Sequence, residues 1–381
     1  MAERRWAKAP AAPDVTRVWD LGVRLFHWLL VAAVAIALVT GLSGPRDVLN
    51  IHMAAGAAIG GLVAFRILWG VMGSTYARFS SFPLQRAAIR ADLAGLIAGG
   101  RPRYRGHNPL GSLMALALLA ILTLSVMTGV VTLGGVDKQG PLAFATSYNA
   151  GKATQDLHQA LAYGLLTLIC GHLLGVAYES RHGQPDLVRA MLTGQKAVSA
   201  ADHPARPVKA KPLLAGLCVL LLLIGAVHQI VALSARPALG APAGPLDPVY
   251  AEECGSCHMA YLPSLAPSAR WTAILANLSD HFGEDASLKP DVVAQIRAYL
   301  TMNAAEKWDT RAAHEFQRSN PQDPLRLTAT PFWLRMHRGI RESVFKSRAV
   351  GAKGACEKCH SDASTGRFDP QDIHIPERAY Q

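Results

Sequence analysis

The chain has 381 residues, half of them hydrophobic and only 17% charged. That is too apolar for an ordinary soluble protein and fits a chain that is part membrane and part water-exposed. The net charge of +11 would suit a nucleic-acid partner, but its distribution excludes one. From Ser234 onward Lys+Arg and Asp+Glu number 17 each, so the whole excess lies around the apolar segments of the first part. This is the positive-inside pattern of a membrane protein, not a basic binding face.

Residues 1–20 are polar and basic (Arg4, Arg5, Lys8, Arg17). The apolar run that follows lacks a small-residue cleavage site and reads as a retained helix rather than a signal peptide. Five segments are long enough to span a bilayer, at about 23–42, 52–73, 110–133, 157–178 and 213–232, and none of them contains Asp or Glu. The loops 75–109 and 180–211 are rich in Arg and Lys, whereas 43–51 has only Arg46 and 134–156 only Lys138 and Lys152. Basic loops belong on the cytoplasmic side. The N-terminus is therefore expected inside and, after five spans, the tail outside.

Residues 235–249 are rich in Pro, Gly and Ala and read as a semi-rigid, extended linker. With the fifth segment they are expected to tether the tail, giving an effective concentration of order millimolar. The tail shows short helical patterns at 268–281, 290–302 and 332–345, and few strand signals.

His158 and His172 lie fourteen residues apart in one apolar segment. At about 100° per residue both leave nearly the same helix face, roughly 21 Å apart along the axis, most of a bilayer core of about 30 Å. Such a helix can hold one side of two haems stacked across the membrane. The matching partners follow from topology. His27 enters from the cytoplasmic side and reaches the level of His172, while His52 and His158 share the opposite level. Two pairs at two depths suit two bis-histidine b haems, imidazole being a good axial ligand. Arg66, fourteen residues after His52, reaches the inner level, where it either meets a haem propionate or snorkels to the interface. Gly56 and Gly60 would let a macrocycle approach the backbone, or serve plain helix packing.

The motifs at His27 (RLFHW), His52, Arg66 (FRILW) and the His158/His172 pair make residues 16–195 resemble the prokaryotic cytochrome b561 family, which includes b subunits of hydrogenases. The resemblance implies a four-helix bundle with two b haems that exchanges electrons with quinone.

Six cysteines are present. Cys170 and Cys218 lie in apolar segments and read as small packing residues. The other four form Cys254-Gly255-Ser256-Cys257-His258 and Cys356-Glu357-Lys358-Cys359-His360, each a c-type haem attachment motif: two thiols add to the vinyl groups and the histidine becomes the proximal ligand. Two copies in a tail placed outside by charge argue against zinc or disulfides. Distal-ligand candidates are His281, His314, His337, His374, Met259, Met302 and Met336. Of these, His281 and His337 sit in helical patterns with apolar neighbours, while His314 and His374 are expected to be exposed. The two motifs, with Trp271, the Asp280–Leu288 stretch and Met336-His337-Arg338, make the tail resemble the dihaem cytochrome c proteins. That resemblance suggests two bis-histidine haems with His281 and His337 as distal ligands, their assignment to one haem or the other left open.

The expected architecture is all-α. Residues 1–211 form a four-helix b-haem membrane domain, 212–249 a fifth spanning helix and linker, and 250–381 a mainly helical periplasmic dihaem domain. The expected function is electron transfer across a bacterial inner membrane. Electrons pass from quinol through two b haems to two covalent c haems, and on to a soluble periplasmic redox protein. As an enzyme it would be a quinol:cytochrome c oxidoreductase. The alternatives are a cytochrome subunit passing electrons from a periplasmic dehydrogenase to quinone, and superoxide oxidation at the b-haem domain.

Overall fold

The computed structural model describes residues 14–42, 48–98, 103–182, 187–198 and 202–380. Arg4, Arg5, Lys8 and Arg46, which enter the charge argument above, lie outside the described residues. Among the described residues five helices are long and apolar enough to cross a membrane: α1 (Leu21–Leu42), α2 (Leu49–Met72), α4 (Pro109–Val136), α5 (Tyr148–His182) and α7 (Pro212–Ser234). They form because long runs of Leu, Ala, Val and Ile satisfy every backbone group internally, as an apolar solvent requires. At 1.5 Å per residue even α1 reaches about 33 Å, enough for the hydrocarbon core.

Two differences from the sequence expectation have plain causes. α5 begins nine residues before its apolar segment, because 148–156 holds no proline and Lys152 pairs with Asp156 one turn on (3.2 Å). The helix therefore includes Asp156 and Glu179 beyond its apolar stretch. The loop 75–109 contains α3 (Arg86–Ala98), whose Asp92 is fully buried and accepts from the Leu110 N–H at 3.2 Å. A carboxylate at the first turn of α4 answers both its unpaired donors and its dipole.

The chain divides into two compact units. The first is drawn from residues 1–43, 51–127 and 158–227. Its core joins Ala33 and Val34 of α1, Ile59 and Val63 of α2, Leu122 of α4 and Leu165 of α5, so four helices share one apolar seam. A two-stranded antiparallel pair, β1 (Asp14–Arg17) with β2 (Gln195–Val198), closes one end, next to α6 (Leu187–Thr193). Helical periodicity gave no warning of these strands. α7 buries only Ala215, against a cluster with Trp19, Val23 and Trp69.

The second unit is drawn from residues 44–50, 128–157 and 228–381. In it α4 and α5 approach backbone to backbone: a Cβ on Gly135 would lie 2.6 Å from the Gly151 Cα, so glycine is required there. The tail holds α8 (Pro248–Gly255), α9 (Ser268–Leu275), α10 (Pro290–Met302), α11 (Arg311–Glu315), α12 (Pro331–His337) and α13 (Glu342–Phe345). The pattern at 332–345 is thus two helices, broken around Gly339, and the one at 268–281 stops at Leu275. His281 follows a short 3-10 turn and is not helical. Two apolar clusters form the core, one around Trp271, Ile296 and Leu300, the other around Trp333, Val344 and Phe345.

The linker is not a free tether. Leu239 N–H donates to the Ala143 carbonyl and Asp309 N–H to the Gly240 carbonyl, both at 2.8 Å. Arg236 lies over the Phe144 ring at 4.8 Å. Gly240 has φ +64°, and any Cβ there would collide with Asp309. Composition suggested an extended segment, but it could show neither the turn at Leu239–Gly240 nor what the backbone would bind.

Candidate haem sites

Three pairs of histidines face each other at nearly one separation. Ring centroids lie 6.1 Å apart for His52 and His158, 6.2 Å for His258 and His281, and 6.0 Å for His337 and His360. Two metal–imidazole bonds of about 2 Å on opposite sides, plus about 1 Å from each nitrogen to its ring centre, give roughly 6 Å. The spacing fits one iron between each pair. His27 and His172 are electrostatic neighbours in the same bundle. All four bundle histidines are half-buried.

Second contacts orient these rings. His52 Nδ1 lies 3.0 Å from the Ala37 carbonyl and 3.2 Å from Thr40 Oγ1. His337 Nδ1 lies 2.9 Å from the Trp333 carbonyl, and His258 Nδ1 2.8 Å from that of Met259. A proton held at Nδ1 by a carbonyl leaves Nε2 as the free lone pair that iron needs. In the tail burial does further work. It pushes the His360 imidazole down to about 4, with His337 adding to the effect, and also lowers His281 and His337. Neutral imidazole is the ligating form. Burial raises the Cys356 thiol to about 12 and Cys254 to about 11, so both keep the S–H that adds to a vinyl group.

Arg66 is 5% exposed and lies over Phe79 at 4.7 Å, so it does not snorkel to water; its Nη1 is buried without a hydrogen-bond partner. An unanswered guanidinium N–H in the bundle fits an anionic group such as a propionate. Gly56 is half-buried, and a Cβ there would meet nothing within 4 Å, which leaves room beside His52.

His107 was not singled out by sequence. It packs edge-on to Trp19 at 4.7 Å and against Phe82 at 4.8 Å. Burial among these rings, with Arg66 and Lys196 as positive neighbours, pushes its imidazole down to about 3. A lone histidine in a basic loop carries no periodic or motif signal that would have marked it.

The C-terminal histidine pair lines a cavity of about 200 Å³ with Cys356, Cys359, Arg311 and Arg367. Tyr261 lines it too, donating to the Gly354 carbonyl at 2.8 Å, and its ring lies 5.1 Å from that of His258. One aromatic side chain therefore touches both tail sites. Of the other distal candidates, Met336 lines the same cavity and Met259 adjoins His258, with its carbonyl on that ring, whereas Met302 is 70% exposed, His374 is exposed, and His314, expected to be exposed, is hydrogen-bonded to Asp309 at 2.9 Å and stacked on Tyr148.

Residues 250–368 match the family model described as dihaem cytochrome c, and residues 18–194 the one described as prokaryotic cytochrome b561. The dihaem cytochrome c of Shewanella baltica OS155 is 37% identical over 35% of this chain and 96% of its own, with a TM-score of 0.29. Two structures of the Rhodobacter sphaeroides dihaem cytochrome are 34% and 36% identical. Each covers 32% of this chain, and 98% and 94% of its own length, with TM-scores of 0.26 and 0.28. The chain belongs to the dihaem cytochrome c family, joined to a cytochrome b561 segment. No curated protein matches it. The two families make this fusion a haem-binding membrane protein of transmembrane electron transfer, with b haems in the cytochrome b561 segment and c haems in the dihaem domain.

Proposed function

We propose that the fusion oxidises membrane quinol and passes the electrons through two b haems to two c haems, and on to a soluble periplasmic redox protein. The observation that carries this reading is the recurrence of one histidine–histidine spacing, 6.0 to 6.2 Å, in both the bundle and the tail. His52 with His158 and His27 with His172 hold the b haems, and Arg66 takes a propionate of the inner one. Cys254, Cys257 and His258 hold one c haem with His281 as distal ligand. Cys356, Cys359 and His360 hold the other with His337. Bound iron supplies one-electron redox chemistry. The chain's own residues orient the His52, His258 and His337 rings and, at the C-terminal site, bury His337 and His360 so that both imidazoles stay neutral.

Residues 1–211 act as the b-haem domain, 212–249 as the fifth helix and linker, and 250–381 as the c-haem domain. The loop charges support an N-terminus on the cytoplasmic side of a bacterial inner membrane and a periplasmic tail. Around the N-terminal c-haem site, Glu252, Glu253, Asp280, Glu284 and Asp285 are all exposed, which favours a redox partner with a basic face.

The test is stopped-flow reduction of the purified holoprotein by a short-chain quinol. The b haems should reduce first and the c haems after them. Reduction of the c haems alone by a periplasmic dehydrogenase, followed by the b haems, would reverse the direction.

A further inference from the structure

The two tail sites differ in what they touch. Arg311 and Arg367 both line the C-terminal cavity, and both also hold the loop between α4 and α5. Arg367 Nη2 donates to the Lys138 carbonyl at 2.8 Å, and Arg311 Nη1 lies 3.7 Å from Asp137 Oδ1. That loop runs straight into the helix that carries His158. The N-terminal site is open by contrast: Cys257, His258 and Phe282 are exposed.

We propose that Arg311 and Arg367 are shared clamps. Each binds a carboxylate of the haem held by His337 and His360 while it anchors the α4–α5 loop, so this haem is the junction between the membrane segment and the tail. Two guanidinium groups lining one cavity suit two propionates, and here the same side chains reach the α4–α5 loop. The haem at His258 and His281 is then the terminal one, reached from the junction across Tyr261. Each exchange moves one electron from one iron to the next, one being oxidised as the other is reduced, with no bond made or broken. This rests on the reading that electrons pass between the two haem sets, but not on their direction.

The test uses the full-length, four-haem protein. Arg311→Gln and Arg367→Gln are made singly and together, with Arg348→Gln, an exposed arginine of equal charge, as control. In a spectroelectrochemical titration the clamp variants should lower the midpoint potential of the C-terminal haem and leave that of the N-terminal haem in place. Loss of a nearby cation favours the oxidised, more positive iron. Arg367→Lys keeps the charge and should restore most of the potential. The clamp variants should also cut faster at 137–148 under mild proteolysis. A chain with Cys356→Ser and Cys359→Ser should lose electron exchange between the b haems and the N-terminal haem by at least an order of magnitude. Equal shifts of both c-haem potentials, no shift of either, or native exchange without the C-terminal haem would overturn the proposal. The titration needs neither quinol nor a partner. A chain that titrates as expected yet is not reduced by quinol would sink the direction of flow and leave the junction standing.

Discussion

Lys138 is the residue on which docking of the tail should turn. Its side chain is 2% exposed and its Nζ donates to Asp309 Oδ2 at 2.9 Å and to the Thr146 carbonyl at 3.0 Å. The same Oδ2 accepts from the Tyr148 N–H at 2.8 Å. Lys138 also has φ +55°, a conformation a non-glycine residue keeps only when its surroundings enforce it. Breaking a buried, hydrogen-bonded ion pair costs about 3–5 kcal/mol. Asp309 is 25% exposed, so water recovers part of that and the low end, about 3 kcal/mol, is the better figure. At 1.4 kcal/mol per tenfold this is about a hundredfold in the docking equilibrium. An engineered protease site around Gly244, beyond the pinned Leu239 and Gly240, isolates the effect. After cleavage and dilution the native tail should stay on the membranes, and c-haem reduction should keep its rate. With Lys138→Ala the cut tail should wash off, and reduction should become dependent on tail concentration. Release of the native tail on cutting would restore the flexible tether and refute the dock.

The remaining expectations are direct. A pyridine haemochrome assay should give two extractable b haems and two covalent c haems per chain; a ratio far from one to one counts against the ligand sets. His27→Ala and His172→Ala should lose the same b-haem spectral component, and His52→Ala and His158→Ala the other; loss of one component by both His27→Ala and His52→Ala would show the pairing to be wrong. Reporter fusions after Arg103 and after Gly244 should score on opposite sides of the membrane, and agreement between them would overturn five spans.

What the sequence made legible follows from how local the signal is. A fourteen-residue spacing on a helix fixes face and depth together, so His158 and His172 can be matched with His52 and His27 before any coordinates exist. The cysteine motifs are shorter still and contain their own proximal ligands. The partners of His258 and His360 are a different matter. His281 lies 23 residues after His258, and His337 23 residues before His360, a symmetry that leaves every pairing open. In the fold each candidate packs against one ring, His281 against His258 and His337 against His360. Lys138 and Asp309 are 171 positions apart, and Lys138 and Arg367 229. No periodicity reaches that far, and a lysine in a short loop looks like any other solvated charge. His107 escaped for the same reason: its burial is created by Trp19 and Phe82, far from it in the chain.

The chemistry of the dock predicts its pH limit. Burial alone would raise the Asp309 carboxyl, but hydrogen bonds from Lys138, His314 and the Tyr148 N–H outweigh it and hold the group below its ordinary value of 3.8. A carboxylate whose pKa is depressed in the docked state contributes stability that is fully present above the undocked value. That stability is lost as pH falls through the docked one. The dock should therefore hold from neutral pH down to about 4, where a free aspartate begins to protonate, and fail only below it. The cut-linker protein, washed at stepped pH, measures this directly, with the Soret band recorded at each step to separate undocking from loss of haem ligation. Asp309→Asn should bind more weakly and show no such acid step. Release of the native tail between pH 5 and 7 would mean that a histidine governs the contact. His314, 2.9 Å from Asp309 Oδ1 and stacked on Tyr148 at 4.5 Å, would then be the residue to replace.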